Sequence, residues 1–409
     1  MNGTPSHVII VGAGHAGGSA AAFLRQFGWK APITLIGEES ALPYQRPPLS
    51  KALLKGEATE ASLLLRPAKF YADQNITVRL GTRAVGIDRQ QRTVTLENGE
   101  ALAYSHLIVA TGAGARRMSH IQDIEGVLYL RTSADAERIR QTLQPGATLV
   151  VVGGGYVGLE VAATARRLGL NVVVIEREPR LLARVASQPF AKFIESYFRT
   201  QGVQIELGCT IESFESHDGK MTGVRLSNGR QITCTAALIG IGANPNDELM
   251  RAAGILCGNG VTVDQSARTS DESIFAIGDC TNRPLPLYGT CGRLESVPNA
   301  LEQAKQAASA ICQRPLPKPE VPWFWSDQFD LRIQIAGLRL EQTESVIRGD
   351  PDRARFAVFH LAGDNTVRAV EAINASVEFM AGKQLIAQGK RVARDRLSNA
   401  TLPMQEIAA

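Results

Sequence analysis

The chain has 409 residues, of which 44% are hydrophobic and 21% charged, and its formal net charge is +4. This length exceeds what one hydrophobic core normally serves, so two or three domains are expected. The basic residues form no run with interleaved aromatic residues, which argues against nucleic-acid binding, and the apolar runs are far shorter than the roughly 20 residues of a membrane span. Because the first residues also lack the pattern of a signal peptide, we expect a cytoplasmic protein.

Two segments, residues 7–39 and residues 148–178, share one pattern. Each predicts an apolar strand, a glycine turn, an alanine-rich helix and a second apolar strand. Such a βαβ segment is typical of a buried parallel sheet with a crossover helix. We therefore predict an α/β fold with two Rossmann-like dinucleotide-binding domains.

Each βαβ segment is followed by a similar tail. After the first segment, residues 78–96 predict hairpin-like strands, and residues 105–113 predict a buried strand that enters a glycine-rich turn. After the second segment, residues 205–234 alternate in the same way and lead into the apolar residues 235–245. The repeat therefore extends beyond the glycine turns to whole domains.

The last part of the chain predicts a separate α+β domain. A third apolar strand, over residues 273–280, precedes a helix at about residues 299–313. The proline-rich residues 314–322 are typical of a linker. Strand-like alternation then runs to Ala375, and a helix is predicted from about Ser376 to Gly389.

Each βαβ segment carries the glycine spacing of a dinucleotide-binding loop. The first glycine makes a tight turn, the second lets backbone amides approach a diphosphate, and the third lets the helix pack closely on the strand. The diphosphate then lies at the helix N-terminus, where free N–H groups favour negative charge. The glycines of the two loops are Gly12, Gly14 and Gly17 in the first segment, and Gly153, Gly155 and Gly158 in the second.

The acid at the end of the second βαβ segment bears on the choice of nucleotide. Glu176 follows the second strand, where a carboxylate accepts hydrogen bonds from ribose hydroxyls and repels a 2′-phosphate. This position favours NADH over NADPH. Arg177, Arg180 and Arg184 follow closely and weaken the preference, unless they belong to a solvated loop.

The first βαβ segment is the better candidate for a flavin nucleotide. Gly37 takes the place of Glu176 there, so Glu38 or Glu39 is expected to hold the ribose. The chain returns after the second segment to a strand that ends in Gly278-Asp279, and an acid there can bond the ribityl hydroxyls of FAD. Without the paired glycine loops, an ordinary turn at a strand end would be the better explanation of Gly278-Asp279.

The cysteines and histidines offer no competing chemistry. No two cysteines form a C-x-x-C or C-x4-C pair, and the histidines lack the spacing of metal ligands, so we predict neither a redox dithiol nor a metal site. Scattered thiols are typical of a reducing compartment. The cysteines are Cys209, Cys234, Cys257, Cys280, Cys291 and Cys312.

Motifs along nearly the whole chain resemble one family, the oxygenase-coupled ferredoxin reductases. These are NADH-dependent flavoproteins with a pyridine nucleotide-disulfide reductase-like fold, and rubredoxin reductases and apoptosis-inducing factor are wider relatives. YQRPPLSK at residues 44–51 and PWFWSDQ at residues 322–328 are the most specific of these motifs. The others, in chain order, are GAGHAG, ATGA, GGGYVGLE, IGIGANP, AIGDC and RLESVPNA.

The resemblance implies contacts with both nucleotides. On the FAD side it places Lys51 beside the flavin ring and the backbone of Val297 at the pyrimidine edge. Several dioxygenase reductases have Trp where this chain has Val297-Pro298, which favours the P450-type or rubredoxin-type branch. The implied FAD residues are Gly12, Gly14, His15, Ala16, Gly17, Glu38, Arg46, Lys51, Val85, Ala110, Thr111, Gly112, Arg116, Asp279 and Val297. The implied NAD residues are Gly153, Gly155, Tyr156, Val157, Gly158, Glu160, Glu176, Arg184, Gly242 and Glu295.

Lys51 and Glu160 are the expected catalytic pair. Hydride transfer builds negative charge on the flavin, which an ammonium group stabilises, and Glu160 would orient both this lysine and the nicotinamide carboxamide. Without the resemblance, a surface salt bridge and an acid favoured at a helix N-terminus would explain the two residues. The same alignment puts Ser50-Lys51 where disulfide reductases carry their cysteines, so a thiol mechanism lacks its nucleophile.

The expected protein is an FAD-dependent NADH:ferredoxin reductase. Its partner by resemblance is a 2Fe-2S ferredoxin, bound transiently through charge, that serves a P450 or Rieske oxygenase. A rubredoxin reductase and an NADH-sensing flavoprotein like apoptosis-inducing factor are the alternatives, and a monomer or weak dimer is expected. The expected domains are an FAD domain of residues 1–115 and 243–318, an NAD domain of residues 116–242, and a C-terminal domain of residues 319–409.

Overall fold

The computed structural model describes residues 6–119, 124–339 and 343–407. They form two compact units, which we call the first and the second compact unit. Both are discontinuous in sequence, because the chain passes from one to the other several times. The first compact unit comprises the described residues of Met1–Gln45, Glu60–Gly114 and Asn244–Pro322. The second comprises those of Arg46–Thr59, Ala115–Ala243 and Trp323–Ala409.

The first compact unit is built on a five-stranded parallel sheet. Its three central strands are four-residue runs that are apolar or nearly so and are buried except at His106, which is typical of a sheet covered on both faces. The helices His15–Gln26 and Val297–Ile311 contribute alanines to the core on one face. In order across the sheet, the strands are Ile274–Ala276, His106–Val109, Val8–Val11, Ile33–Ile36 and Ile76–Arg79.

One strand of this sheet corrects the sequence analysis. Residues 78–96 were expected to be hairpin-like throughout, but Ile76–Arg79 pairs in parallel with Ile33–Ile36. The antiparallel hairpin begins at Ala84. The expectation was wrong because the alternation of a short edge strand resembles that of a hairpin strand, and only the partner distinguishes them.

Smaller elements complete the first compact unit. A three-stranded antiparallel sheet contains Ala84–Asp88, Thr93–Leu96 and Ala101–Ala103. A mixed four-stranded sheet contains Cys257–Gly258, Gly260–Thr262, Thr281–Leu285 and Thr290–Gly292. Short helices cover Glu60–Leu63, Ala68–Asp73, Glu248–Ala252, Gly278–Cys280 and Pro286–Tyr288. The short strands Ala113–Ala115 and Ala243–Pro245 lie where the chain crosses between the compact units.

The second compact unit contains a parallel sheet of the same plan, as the repeat predicted. Its strands, in order, are Gln204–Leu207, Asn171–Glu176, Thr148–Val152, Ala236–Ile239 and Val127–Leu128. Its helices are Pro47–Ser50, Ser133–Thr142, Tyr156–Arg167 and Gln188–Thr200. An antiparallel sheet of Ile211–His217, Lys220–Leu226 and Gln231–Thr233 follows the same order as its counterpart in the first compact unit.

The predicted C-terminal α+β region belongs to the second compact unit. It forms a five-stranded antiparallel sheet covered by the helix Ser376–Gln388, which ends at Gly389 in the left-handed conformation. Phe193 packs edge-on against Phe356, so one core runs through both sheets of this unit. The strands, in order, are Trp323–Gln328, Leu331–Gly337, Val367–Ile373, Arg355–Leu361 and Glu344–Asp350. The remaining helices are Pro351–Arg353, Arg394–Ser398 and Met404–Ile407.

Among the described residues, no helix combines the length and the apolar character that crossing a bilayer requires.

A capping box supports the segment that carries Arg46. Thr132 caps the helix Ser133–Thr142 by accepting from the Asp135 amide at 3.1 Å, and the Asp135 carboxylate accepts from the Thr132 amide at 2.9 Å. The adjacent carbonyl of Arg131 accepts from the Arg46 guanidinium at 2.5 Å. The cap therefore fixes the turn to which Arg46 is bonded.

Thr132→Ala is expected to lower the free energy of unfolding by about 1 kcal/mol, because it removes the cap of this helix. Urea denaturation measures the change. Thr142→Ala is the matched control at the other end of the same helix, and its loss is expected to stay below about 0.5 kcal/mol. Equal losses in the two variants would contradict this account of the cap.

Candidate active site

The first glycine loop is a turn in which two positions exclude a side chain. Gly12 follows the strand Val8–Val11 with a φ of +113°, and a Cβ there would lie 2.2 Å from the Ala110 carbonyl oxygen. A Cβ on Gly17 would lie 1.9 Å from the Gly12 carbonyl oxygen. Gly14 is the N-cap of the helix His15–Gln26 and offers no side-chain cap. The first amides of this helix are therefore available to an anion.

Two distant segments that carry predicted FAD residues meet at this loop. Gly278 has a φ of +81°, and a Cβ on it would lie 3.0 Å from the Cβ of Ala16, so the Gly278-Asp279 turn lies beside the loop. The turn Ala110-Thr111-Gly112 follows the neighbouring strand. Thr111 Oγ1 donates to the Asn246 carbonyl at 2.6 Å, and Asn246 donates back to the Thr111 carbonyl at 2.9 Å.

The other predicted FAD residues of the first compact unit lie on separate elements. Glu38 is exposed and stands 3.9 Å from Arg83. It follows Gly37, where a Cβ would lie 2.5 Å from that of Ala13 in the glycine loop. Val85 is half-exposed on the strand Ala84–Asp88. Val297 is the first residue of a helix, earlier than the sequence indicated.

The second glycine loop repeats the geometry of the first. Gly153 has a φ of +104°, and a Cβ on it would lie 2.4 Å from the Gly240 carbonyl oxygen. A Cβ on Gly158 would lie 2.5 Å from the Gly153 carbonyl oxygen. Gly155 is an uncapped helix N-cap with open space around it. Of the first helical turn, Tyr156 is packed against Phe324 with the ring centroids 4.9 Å apart, whereas Val157 is half-exposed.

Glu176 lies at the second glycine loop, at the end of the strand Asn171–Glu176. Its carboxylate accepts from the Gly154 amide at 2.7 Å and from the Glu178 amide at 2.9 Å. The carboxylate is therefore held beside the loop by the backbone, where it can accept from a ribose.

The arginines that follow Glu176 do not share one role. Arg177 pairs with Glu178 at 2.9 Å. Arg180 donates to two backbone carbonyls, at 2.7 and 3.0 Å, and burial lowers its pKa. Arg184 lies near Gly242, with a guanidinium nitrogen 3.8 Å from the position of a Cβ there. Arg184 is thus the arginine that the structure brings to another predicted NAD residue.

Lys51 and Glu160 form a buried ion pair. The Lys51 ammonium lies 2.6 Å from Glu160 Oε2, and the two side chains are 19% and 9% exposed. Ser50 donates to the same oxygen at 2.5 Å, and Ser326 donates to Oε1 at 2.6 Å. The surface salt bridge that the sequence left open does not describe this pair, because both charges are largely withdrawn from water.

Most predicted FAD residues lie in the first compact unit and most predicted NAD residues lie in the second, but four residues do not follow this division. Arg46, Lys51 and Arg116 belong to the second compact unit, whereas Glu295 belongs to the first. The Arg116 amide donates to the Gly242 carbonyl at 2.9 Å. Glu295 is ion-paired with Arg293.

Several residues of these sites were missed by the sequence analysis. Gln303 is fully buried and accepts from the Gly278 amide at 2.8 Å, so it holds the turn that carries Asp279. Asn246 holds the Thr111 turn, and Ser326 bonds Glu160. The available signal was a polar residue at a buried position of an otherwise apolar pattern, as at Ser326 in a strand and Gln303 in an alanine-rich helix.

Residues 6–304 match the pyridine nucleotide-disulphide oxidoreductase family, and residues 323–408 match the reductase C-terminal family. The chain belongs to the pyridine nucleotide-disulphide oxidoreductase family. The predicted fold class and the resemblance to the ferredoxin reductase group are confirmed. The expectation of an oxidoreductase that uses FAD and NADH is confirmed as well.

Individual relatives cover almost the whole chain. A probable ferredoxin reductase, CtmF, of Castellaniella defragrans is 44% identical over 98% of this chain and 98% of its own length. Rubredoxin-NAD(+) reductase of Pseudomonas putida is 40% identical over 90% of this chain and 95% of its own. The reductase in the crystal structure of the covalent putidaredoxin reductase–putidaredoxin complex is 39% identical, covers 99% of this chain and 98% of its own, and has a TM-score of 0.96.

The cysteines are expected to differ sharply in reactivity. Burial raises the pKa of Cys280 to about 11 and that of Cys234 to about 12, whereas Cys291 is exposed. At pH 8 a thiol with a pKa of about 11 is ionised in about one molecule in a thousand, and only the thiolate reacts. An alkylating reagent should therefore modify Cys291 in the native protein and reach Cys234 and Cys280 only in denaturant.

Peptide mass spectrometry after timed alkylation measures this order. Denatured protein is the control, since all six cysteines should then react. Modification of Cys280 in the folded protein at the rate of Cys291 would contradict the assignment of Cys280 as a buried, unreactive thiol beside Asp279.

Proposed function

We propose that the protein is an FAD-dependent NADH:ferredoxin reductase that delivers single electrons to a 2Fe-2S ferredoxin serving a P450 or Rieske oxygenase. The observation that carries the proposal is the pair of glycine loops, one in each compact unit, together with the buried Lys51–Glu160 pair. The loops fit two dinucleotides, because each leaves an uncapped helix N-terminus next to backbone that excludes side chains.

Each site residue then has a role that its surroundings support. When bound, FAD accepts two electrons from NADH as a hydride and returns them one at a time. The first loop binds its diphosphate, and Asp279 accepts from the ribityl hydroxyls. The second loop binds the diphosphate of NADH, and Glu176 accepts from the adenosine ribose. Lys51 stabilises the negative charge that develops on the flavin ring, and Glu160 orients Lys51 and the nicotinamide carboxamide.

The remaining predicted contacts belong to the same proposal. On the FAD side these are His15, Ala16, Glu38, Arg46, Val85, Ala110, Thr111, Gly112, Arg116 and Val297. On the NAD side these are Tyr156, Val157, Arg184, Gly242 and Glu295.

A ferredoxin is the proposed electron acceptor. The putidaredoxin reductase of the covalent complex shares nearly the full length of this chain, and its partner there is putidaredoxin. Since the rubredoxin-NAD(+) reductase also matches closely, a rubredoxin is the second candidate. Transient partners of this kind are steered by charge. Three basic residues near the end of the chain could attract an acidic ferredoxin: Lys390, Arg391 and Arg394. Because Arg391 and Arg394 already pair with Asp364 and Glu344, Lys390 is the best candidate of the three.

We also propose three domains: an FAD domain of residues 1–115 and 243–318, an NAD domain of residues 116–242, and a C-terminal domain of residues 319–409. The two parallel sheets of equal plan support the first two domains. We propose a monomer or weak dimer. A cytoplasmic location is supported by the six free cysteines, which a reducing compartment preserves.

An anaerobic experiment tests this function. NADH is expected to bleach the yellow holoprotein, and an oxidised 2Fe-2S ferredoxin from a panel should restore the flavin colour at least about tenfold faster than rubredoxins do. Faster reoxidation by rubredoxin would support the second candidate. A reduced complex that no acceptor reoxidises would contradict a reductase and favour a sensor.

Two glycine variants provide the matched control for that experiment. Gly153→Ala places a Cβ against the Gly240 carbonyl at a positive φ, so the protein should keep FAD but lose its response to NADH. Gly363→Ala makes the same change in open space and should respond like the parent protein. A normal response in Gly153→Ala would contradict the assignment of the second loop to NADH.

The nucleotide preference depends on Glu176 in this proposal. Glu176→Ala is expected to raise the Kd for NADH about tenfold and to reduce the preference for NADH over NADPH by a similar factor, because the ribose acceptor and the repulsion of a 2′-phosphate are both lost. Flavin reduction at varied NADH and NADPH concentrations measures both effects. Glu178→Gln removes a charge two residues away and should change the preference less than about threefold. An unchanged preference in Glu176→Ala would show that another residue selects the nucleotide.

A further inference from the structure

The Glu160 carboxylate is held at both of its oxygens. Oε2 accepts from the Ser50 hydroxyl and pairs with the Lys51 ammonium, at 2.5 and 2.6 Å. Oε1 accepts from the Ser326 hydroxyl at 2.6 Å. A carboxylate offers about four acceptor positions, and the contacts of the described residues use three of them. The fourth, on Oε1, is the position left for a donor of the substrate.

Ser326 determines in which direction the unused lone pair of Glu160 Oε1 points. The terminal torsion of a glutamate has broad preferences, so contacts at Oε2 alone would leave the carboxylate plane poorly defined. The bond from Ser326 to Oε1 adds a second point of attachment. Because this bond occupies one lone pair of Oε1, it also determines where the other lone pair points.

The Ser326 hydroxyl is itself oriented by a hydrogen bond from Gln328. Gln328 Nε2 donates to Ser326 Oγ at 3.1 Å, and a hydroxyl has a single proton, which Ser326 therefore donates to Glu160. Alternation along the strand Trp323–Gln328 puts Ser326 and Gln328 on one face. Both are buried, with 1% and 0% of their surface exposed, so water does not compete for these bonds.

We propose that Ser326, oriented by Gln328, is a positioning residue for hydride transfer. It holds Glu160 so that the free lone pair of Oε1 accepts from the nicotinamide carboxamide while Oε2 keeps Lys51 in place. The C-terminal sheet thereby takes part in the chemistry of the nicotinamide site. The inference rests on the proposed function, in which Glu160 contacts the carboxamide.

An isosteric pair of variants isolates the hydroxyl from the shape of the side chain. Ser326→Thr keeps the hydroxyl, and Ser326→Val has nearly the same volume as the threonine but no donor. Ser376→Ala is the matched control, since it also removes one serine hydrogen bond in the second compact unit. That bond joins Ser376 to Gln334 at 3.0 Å and does not involve Glu160. FAD content and thermal midpoint are measured for every holoprotein.

Anaerobic rapid mixing with NADH gives the limiting rate constant of flavin reduction and the Kd for NADH, and absorbance titration gives the affinity of the oxidised protein for NAD⁺. Ser326→Val is expected to reduce the limiting rate about tenfold and to weaken NAD⁺ binding several-fold, which corresponds to the loss of one hydrogen bond to a charged group. Ser326→Thr should stay within about threefold of the parent protein, and Ser376→Ala should not differ from it.

Equal rates and equal NAD⁺ affinities in the threonine and valine variants would overturn the inference, and so would a difference confined to FAD content or thermal midpoint. Glu160→Gln separates this failure from that of the proposed function. If Glu160→Gln slows reduction while Ser326→Val does not, only the role of Ser326 is refuted. If Glu160→Gln leaves the rate and the NAD⁺ affinity unchanged, the assigned role of Glu160 fails as well.

Discussion

The close approach of backbone to backbone in the two glycine loops is the constraint on which the rest of the molecule depends. At Gly12 and Gly153 the carbonyl oxygen of the residue that follows the neighbouring strand lies within 2.4 Å of the place where any other residue would carry its Cβ. The strand, the turn and the helix can therefore pack tightly enough to point the first helical amides at one spot. Each parallel sheet positions such a spot, and each compact unit supplies one.

The second requirement is a charge that is kept out of water without being left unpaired. An isolated buried carboxylate would be unstable as an anion, and Glu160 is stabilised instead by an ammonium group and two hydroxyls from two distant segments of the chain. Such an arrangement is rigid and polar, which suits a site where charge develops during reaction. The same segments join the helix after the second glycine loop to the C-terminal sheet.

Much of the fold was predictable because its signals are local. Short apolar runs next to glycine indicated the buried strands, and Gly389 marked the end of the helix Ser376–Gln388 within a residue. The strand Ile76–Arg79 was assigned to a hairpin because its pairing with Ile33–Ile36 is made across about 40 intervening residues and leaves little trace in its own four residues. The helix Val297–Ile311 begins about two residues before the predicted start at Asn299. Proline usually interrupts a helix, but it is well tolerated in the first turn, where Pro298 lies.

The sequence by itself determined the two glycine loops, the acid that follows the second one, and the absence of a paired cysteine motif, since each depends on residues within one βαβ segment or on spacing alone. Only the tertiary structure decided that Glu160 is buried, that Ser50, Lys51 and Ser326 surround it, and that Gln303 holds the Asp279 turn. Those contacts join residues far apart in the chain, and whether a serine or glutamine meets a charge or water depends on what the fold packs against it.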